Sequence, residues 1–153
     1  MLKVYLCGSI ANAQINLMVS RLLSEGGYDV FDPCKITPQD MSKAHFSQRV
    51  YAQCKQAIEG CDVLFVFLDS YGKDSAWEIG LARGLGKRIV GVVVAASLFL
   101  EDWMVKYAID KILVIDKGWL APEIAGPDWA TVRQICEVCG LKEVPSKLRK
   151  LID

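Results

Sequence analysis

The stretch Asp69-Ser70-Tyr71-Gly72-Lys73-Asp74-Ser75-Ala76-Trp77-Glu78-Ile79-Gly80-Leu81-Ala82 gathers the residue types of this chain best suited to chemistry. An apolar run ends just before it, and two carboxylates, Asp69 and Asp74, bound a polar loop. Glu78 then falls in the expected first turn of a helix. Free backbone N–H groups and the helix dipole at such a position stabilise a carboxylate as its anion. An anion of that kind is a poor base at neutral pH. It can still attack an electrophilic carbon or steady a developing positive charge. The spacing also has a purely structural reading. Ser75-Ala76-Trp77-Glu78 matches a capping box, in which the glutamate reaches back to the N-cap backbone. Spacing alone favours the cap. Glu78→Gln separates the two readings, because an amide can cap a helix but cannot act as a nucleophile.

Fewer features elsewhere suggest chemistry. Gly8 and Ser9 close an apolar run and open a helix, where backbone N–H groups bind anions. The dinucleotide fingerprint is absent, since the turn carries one glycine and only Asp32 stands near the end of the second strand. A single phosphate or a ribose hydroxyl fits that turn, and a tight turn alone is the plainer reading. Tyr5 lies on the first strand, with a hydroxyl able to reach the crevice; a tyrosine there is more often core. His45, the one histidine, falls away from the crevice and is given no catalytic role.

These residues need elements to position them, and the chain supplies strand and helix in alternation. Leu2 to Leu6 reads as a first strand. Ile15, Met18, Val19, Leu22 and Leu23 keep a helical period that stops at Gly26-Gly27. Tyr28 to Phe31 is a second strand ended by Asp32-Pro33, followed by a polar loop to about Asp40. Val50, Cys54, Ala57, Ile58 and Cys61 mark one face of a second helix. Val63 to Leu68 is continuously apolar, as a parallel strand covered on both faces should be. A helix from Ser75 to Leu85, a strand from Arg88 to Val94, a helix from Leu100 to Ala108 and a fifth strand from Lys111 to Ile115 follow. A loop from Trp119 to Pro127 precedes helical material from Thr131. The rhythm is that of an α/β fold: a doubly wound, five-stranded parallel sheet in the flavodoxin-like order 2-1-3-4-5, with helices on both faces. Ligands in such sheets sit beyond the carboxyl ends of the strands, where the order reverses. Those ends are Cys7-Gly8-Ser9, Asp69 to Asp74, and Val94 to Ser97.

Bulk properties narrow the class further. The 153 residues fit one domain, 1–153, with no linker or internal repeat. Eighteen basic and eighteen acidic residues cancel, which argues against a nucleic-acid polymer as partner. The basic tail from Lys142 to Lys150 reads as a solvated helix face. No apolar run is long enough to cross a bilayer, and the N-terminal one is too short for an export signal. The expected location is the cytoplasm. Of six cysteines only Cys136 and Cys139 have a metal-like spacing, on an expected helix and without a second pair, so buried free thiols are expected.

Val4-Tyr5-Leu6-Cys7-Gly8-Ser9 resembles the opening strand of the nucleoside 2-deoxyribosyltransferase family, and Asp74-Ser75-Ala76-Trp77-Glu78-Ile79-Gly80, with Ala82 and Gly86-Lys87, resembles its nucleophile helix. The likeness runs from residue 1 to about 116, and the Glu-x-Gly segment is its most specific part. The resemblance implies an enzyme that cleaves the N-glycosidic bond of a (deoxy)nucleoside, with Glu78 attacking the anomeric carbon to form a glycosyl ester. A second nucleobase, or water in the hydrolytic relatives acting on nucleoside 5′-monophosphates, would then displace it. Tyr5 matches the tyrosine that orients the nucleophile, and Asp69 and Asp74 fall in the loop that holds sugar hydroxyls. The family also implies a homodimer or larger homo-oligomer sharing residues between sites, and no metal or organic cofactor. Two positions depart from the pattern. Cys54 stands where the transferases usually carry an aspartate that handles the proton on the leaving base. Trp103-Met104 occupies the region of an asparagine donated by a neighbouring subunit.

A nucleotide-binding module without chemistry, its pocket lined by Cys54 and Trp103, is the second reading. A flavodoxin-like FMN carrier fits the strand order but lacks a Ser/Thr-rich phosphate loop after the first strand.

Overall fold

The computed structural model describes residues 1–9, 13–37, 42–69, 71–94, 102–115 and 134–152. Its strands are β1 (Lys3–Cys7), β2 (Asp29–Phe31), β3 (Val63–Phe67), β4 (Arg88–Val93), β5 (Lys111–Val114) and β6 (Cys136–Val138). They form one sheet in the order β2-β1-β3-β4-β5-β6, and every neighbouring pair is parallel. The helices are α1 (Ala13–Glu25), α2 (Lys43–Gly60), α3 (Lys73–Gly84), α4 (Trp103–Ala108) and α5 (Val144–Ile152).

Alternation along the strands divides the core between two helical layers. Tyr5, Cys7, Leu64, Val66 and Ile89 face α2, α3 and α4 and pack with Cys54, Ile58, Ile79 and Val105. Val4, Leu6, Val63, Phe65 and Val90 face the other way, onto Val19 and Leu23 of α1 and Val144 and Leu148 of α5. All of β3 is buried, because it is central and covered on both sides. Each such apolar side chain removed from water contributes about 1.5–3 kcal/mol.

The expected doubly wound architecture is present, with a sixth strand added. Of the helical material expected from Thr131, Gln134 is helical among the described residues, and Cys136–Val138 form β6 instead. It pairs in parallel with β5 through Ile112↔Cys136 and Val114↔Val138. The Cys136–Cys139 pair therefore lies on and just after an edge strand, not on a helix. A 3-10 turn over Leu141–Glu143 leads into α5, where Val144 and Leu148 turn inward and Lys147 pairs with Glu137. The second helix begins earlier than its apolar face suggested, capped by Ser42, whose hydroxyl accepts from the His45 amide. His45 itself is exposed in that helix's first turn. The expected loop from Trp119 to Pro127 and residues 95–97 after β4 lie outside the described residues. Among the described residues, no helix is long and apolar enough to cross a membrane.

From β1 the chain steps to β2 on one side, then returns to place β3 on the other. The order reverses at β1 and β3, so the crevice lies beyond their carboxyl ends.

Candidate active site

Helix α3 follows β3 and therefore starts at the carboxyl edge of the sheet. It begins at Lys73, with Gly72 at the N-cap and no side-chain capping bond. That start overturns the first-turn placement and the capping role expected of Glu78. Ser75 is not a cap but a buried first-turn residue, and Glu78 sits in the second turn, too far along to reach the N-cap backbone. Glu78 turns instead to the neighbouring strand, where its Oε1 accepts a 2.5 Å hydrogen bond from the Tyr5 hydroxyl. Tyr5 is fully buried and Glu78 only 9% exposed. A short O–H···O bond to a carboxylate in such surroundings is charge-assisted and holds the acceptor in one orientation.

Electrostatics run against the anion expected of a first-turn carboxylate. Burial raises the Glu78 pKa above its ordinary value; bonds from Tyr5 and Cys7 oppose the shift, and the Asp74 charge adds to it. Tyr5 and Cys7 are driven far upward, first by burial and then by the Glu78 charge, so both remain protonated and act as donors. The Cys7 thiol also lies 3.8 Å from the Ser75 carbonyl. Cys54, 5% exposed on α2, lies close enough to Tyr5 to interact with its hydroxyl, and its pKa is raised mainly by burial. Four side chains from three elements thus meet at the switch point: Tyr5 and Cys7 from β1, Cys54 from α2 and Glu78 from α3.

The other expected residues spread around this centre. Asp74 is exposed in the first turn of α3, close enough for its charge to act on Glu78. Both oxygens of Asp69 accept from the Val94 amide, at 3.1 and 2.8 Å, tying the end of β3 to the end of β4. Gly8 and Ser9 lie at the end of β1 under Asn16 of α1, whose Nδ2 donates to the Ser9 carbonyl at 3.1 Å. A Cβ on Gly8 would sit 2.7 Å from Asn16 Oδ1 and 2.9 Å from Phe67, so the glycine serves close approach as well as a turn. Helix α4 carries Trp103 and Met104 on its exposed face rather than in this cluster.

Several polar residues near the crevice escaped the sequence reading. Cys7 was legible, since it lies two residues from Tyr5 and shares its face. Asn16 and Ser20 are buried at helical spacing with Val19 and Leu23, and polar residues on an apolar stripe are a readable anomaly. Asn16 also donates to the Cys34 sulfur at 3.4 Å, while Asp32 Oδ1 accepts from the Cys34 amide at 3.0 Å. A cavity of about 300 Å³ opens beside them at the carboxyl end of β2, with Phe31, Asp32, Ile36, Arg49 and Gln53 in its wall. The Phe31 ring stacks on Tyr5, centroids 5.6 Å apart and planes at 16°, joining cavity and carboxylate. Among the described residues no group of three or more His, Cys, Asp or Glu is placed to hold a metal.

A doubly wound parallel sheet with a buried, tyrosine-bonded carboxylate at its switch point defines a class of α/β protein that handles small ligands. The family model for nucleoside 2-deoxyribosyltransferase matches residues 4–119, and the chain belongs to that family. The family is enzymatic, acting on the N-glycosidic bonds of nucleosides. Solved structures agree on the fold. A 2-deoxyribosyltransferase from the psychrotolerant bacterium Bacillus psychrosaccharolyticus is 20% identical, with a TM-score of 0.59 over 85% of this chain and 95% of that one. A conserved protein from Enterococcus faecalis V583 is 14% identical, with a TM-score of 0.60 over 99% of each chain. A CMP N-glycosidase from Clostridium botulinum is 15% identical, with a TM-score of 0.50 over 97% of this chain and 98% of that one. No curated protein sequence matches the chain.

Proposed function

We propose that the protein cleaves the N-glycosidic bond of a (deoxy)nucleoside through a covalent intermediate on Glu78. The observation that carries this reading is the direction of that side chain, buried at the switch point and bonded to Tyr5. A carboxylate stripped of water and aimed by one strong donor is a better nucleophile than one solvated on a helix end. Tyr5 orients it and shares its charge. One Glu78 oxygen bonds to the anomeric carbon as the C–N bond breaks, and the base departs with that electron pair. Attack on the resulting ester by a second base or by water releases the sugar and restores the carboxylate, with an oxocarbenium-like transition state in each step. Asp74, Asp69, Gly8 and Ser9 border the crevice and are assigned to the sugar and its substituents.

Cys54 supports a second reading within the same chemistry, hydrolysis of a nucleoside 5′-monophosphate. A thiol is already a weaker acid than a carboxylic acid, and burial makes Cys54 weaker still. It is therefore a poor proton donor to a leaving base or acceptor from an incoming one. Exchange needs one group that protonates the leaving base and deprotonates an incoming base at the same place; in hydrolysis the second proton comes from water instead, so no acceptor base has to be held and deprotonated beside Cys54.

The test is incubation with deoxynucleosides and their 5′-monophosphates, with and without an acceptor base, followed by chromatography and intact-protein mass spectrometry. Free base appearing only with acceptor identifies a transferase; free base without acceptor identifies a hydrolase. A mass increment of one sugar, mapped to Glu78 and missing in Glu78→Gln, establishes the intermediate. Ligand-induced thermal stabilisation without product from any substrate would leave a binding module instead.

A further inference from the structure

Helix α1 buries two polar side chains on an otherwise apolar stripe, Asn16 at 2% and Ser20 at 0% exposure. They stand four positions apart and share the face that packs on the sheet. Both bond outside the helix. Ser20 Oγ accepts from Lys35 Nζ at 2.8 Å, and Lys35 ends the 3-10 turn (Pro33–Lys35) that follows β2. Asn16 reaches two strand exits at once. Its Nδ2 donates to the Ser9 carbonyl beyond β1 at 3.1 Å and to the Cys34 sulfur beyond β2 at 3.4 Å. The other end of that carboxamide, Oδ1, is buried and meets no donor among the described residues. It lies over Gly8, where a Cβ would come within 2.7 Å of it. A buried acceptor without a donor costs stability, and asparagine is a poorer helix former than alanine. On both counts the asparagine works against the fold, and what it supplies is the tie between the two turns.

We infer that Asn16 is a positioning residue for the sugar, holding the Gly8–Ser9 backbone in the shape that receives it by fixing the turns after β1 and β2 to one another. The inference rests on the glycosidic reading above, which assigns Gly8 and Ser9 to the sugar. Helix α1 covers the opposite face of the sheet from α3, and Glu78 is oriented by Tyr5. Asn16 therefore governs where the sugar sits and leaves the nucleophile alone. Losing it removes binding that ground and transition states share, which raises KM and spares kcat.

Asn16→Ala removes the donor and the unpaired acceptor together without crowding Gly8. With the substrate that yields product in the assay above, KM should rise by about tenfold, roughly the worth of one well-made hydrogen bond. The value of kcat should stay within about threefold, and the melting temperature should be retained or raised. Asn16→Asp keeps the size but sets an acceptor against the Ser9 carbonyl, and should raise KM at least as far. Ser20→Ala loses only the Lys35 tie and should leave KM within about threefold. If no substrate turns over, calorimetric titration with the 5′-monophosphates of deoxycytidine and deoxyadenosine reads the same tenfold as affinity. An unmoved KM or affinity in a folded Asn16 variant would overturn the inference. So would a fall in kcat and melting temperature matching the rise in KM, as general loosening gives, or failure of Asn16→Ala to fold. A Glu78 adduct with KM unmoved in Asn16→Ala sinks this inference alone. Binding weakened in Asn16→Ala, with no adduct in the parent, sinks the glycosidic mechanism alone, and a parent that binds neither monophosphate and turns over no substrate sinks both.

Discussion

At the scale of single residues, the Glu78–Tyr5 pair generates two expectations that pull in opposite directions. Removing the tyrosine hydroxyl takes away the strongest interaction favouring the Glu78 anion, and hydrogen bonds to charged groups contribute about 1.5–3 kcal/mol. Tyr5→Phe should therefore lower kcat by about 10–100-fold. It should also shift the acidic limb of the kcat/KM–pH profile to higher pH, because a larger share of Glu78 stays protonated. A profile unmoved in Tyr5→Phe would mean that the hydroxyl does not act through the carboxylate. Glu78→Gln should abolish turnover, by at least about 10³-fold, yet stabilise the fold by on the order of 0.5–2 kcal/mol. The folded-state pKa of Glu78 lies above its ordinary value of 4.5. Stability associated with the protonated form is full below that value and is lost as pH rises through the folded-state pKa. The gap between variant and parent should accordingly be small in acid and widen toward neutrality, as read by denaturant melts across pH. A gap that shrinks with rising pH would contradict the raised pKa.

At the scale of elements, the site depends on how closely α1 and α3 approach β1. Asn16 lies over Gly8 so tightly that a methyl group there would overlap its amide and the Phe67 ring. Gly8→Ala should destabilise the protein by about 1–3 kcal/mol in urea unfolding, since both neighbours are held in packed positions. Its effect on activity should exceed that of a solvent-facing change on α1 such as Gln14→Ala, because displacing Asn16 also disturbs the bonds to Ser9 and Cys34. Asp69 illustrates the same dependence. An aspartate expected to touch sugar also fastens β3 to β4 through the Val94 amide. Loss of activity in Asp69→Ala alone would not distinguish the two roles, whereas unchanged stability with a raised KM would assign it to ligand.

At the scale of the whole molecule, α4 carries Trp103, Met104 and Tyr107 at 72, 85 and 64% exposure. Large apolar side chains concentrated on one short helix are unusual on a solvent-facing surface and typical of interfaces. The expected homo-oligomer would cover them. Sedimentation velocity at micromolar concentration should give a dimer or larger species, and Trp103→Glu combined with Met104→Glu should shift it toward monomer. If neighbouring subunits complete one another's sites, activity should fall with dissociation and be independent of concentration in the parent above its dissociation range. A parent protein that sediments as a monomer would end the proposal.

The order of elements through β5 was legible because it rests on local signals. Apolar runs such as Val63 to Leu68, helical periods and glycine stops depend on nearest neighbours in the chain. Tyr5 and Glu78 could likewise be singled out by residue type and resemblance. The sixth strand was not legible: Cys136–Val138 is three residues long and half-buried at an edge, so nothing but its pairing with β5 makes it a strand. The direction of Glu78 was hidden for a similar reason. Whether a glutamate three positions after a serine folds back or reaches outward depends on where the helix starts and which strand it faces. A capping box and a site carboxylate share that local pattern. Only the packing of α3 against β1 separates them, because it puts a tyrosine hydroxyl, 73 positions away in the chain, within 2.5 Å of the carboxylate.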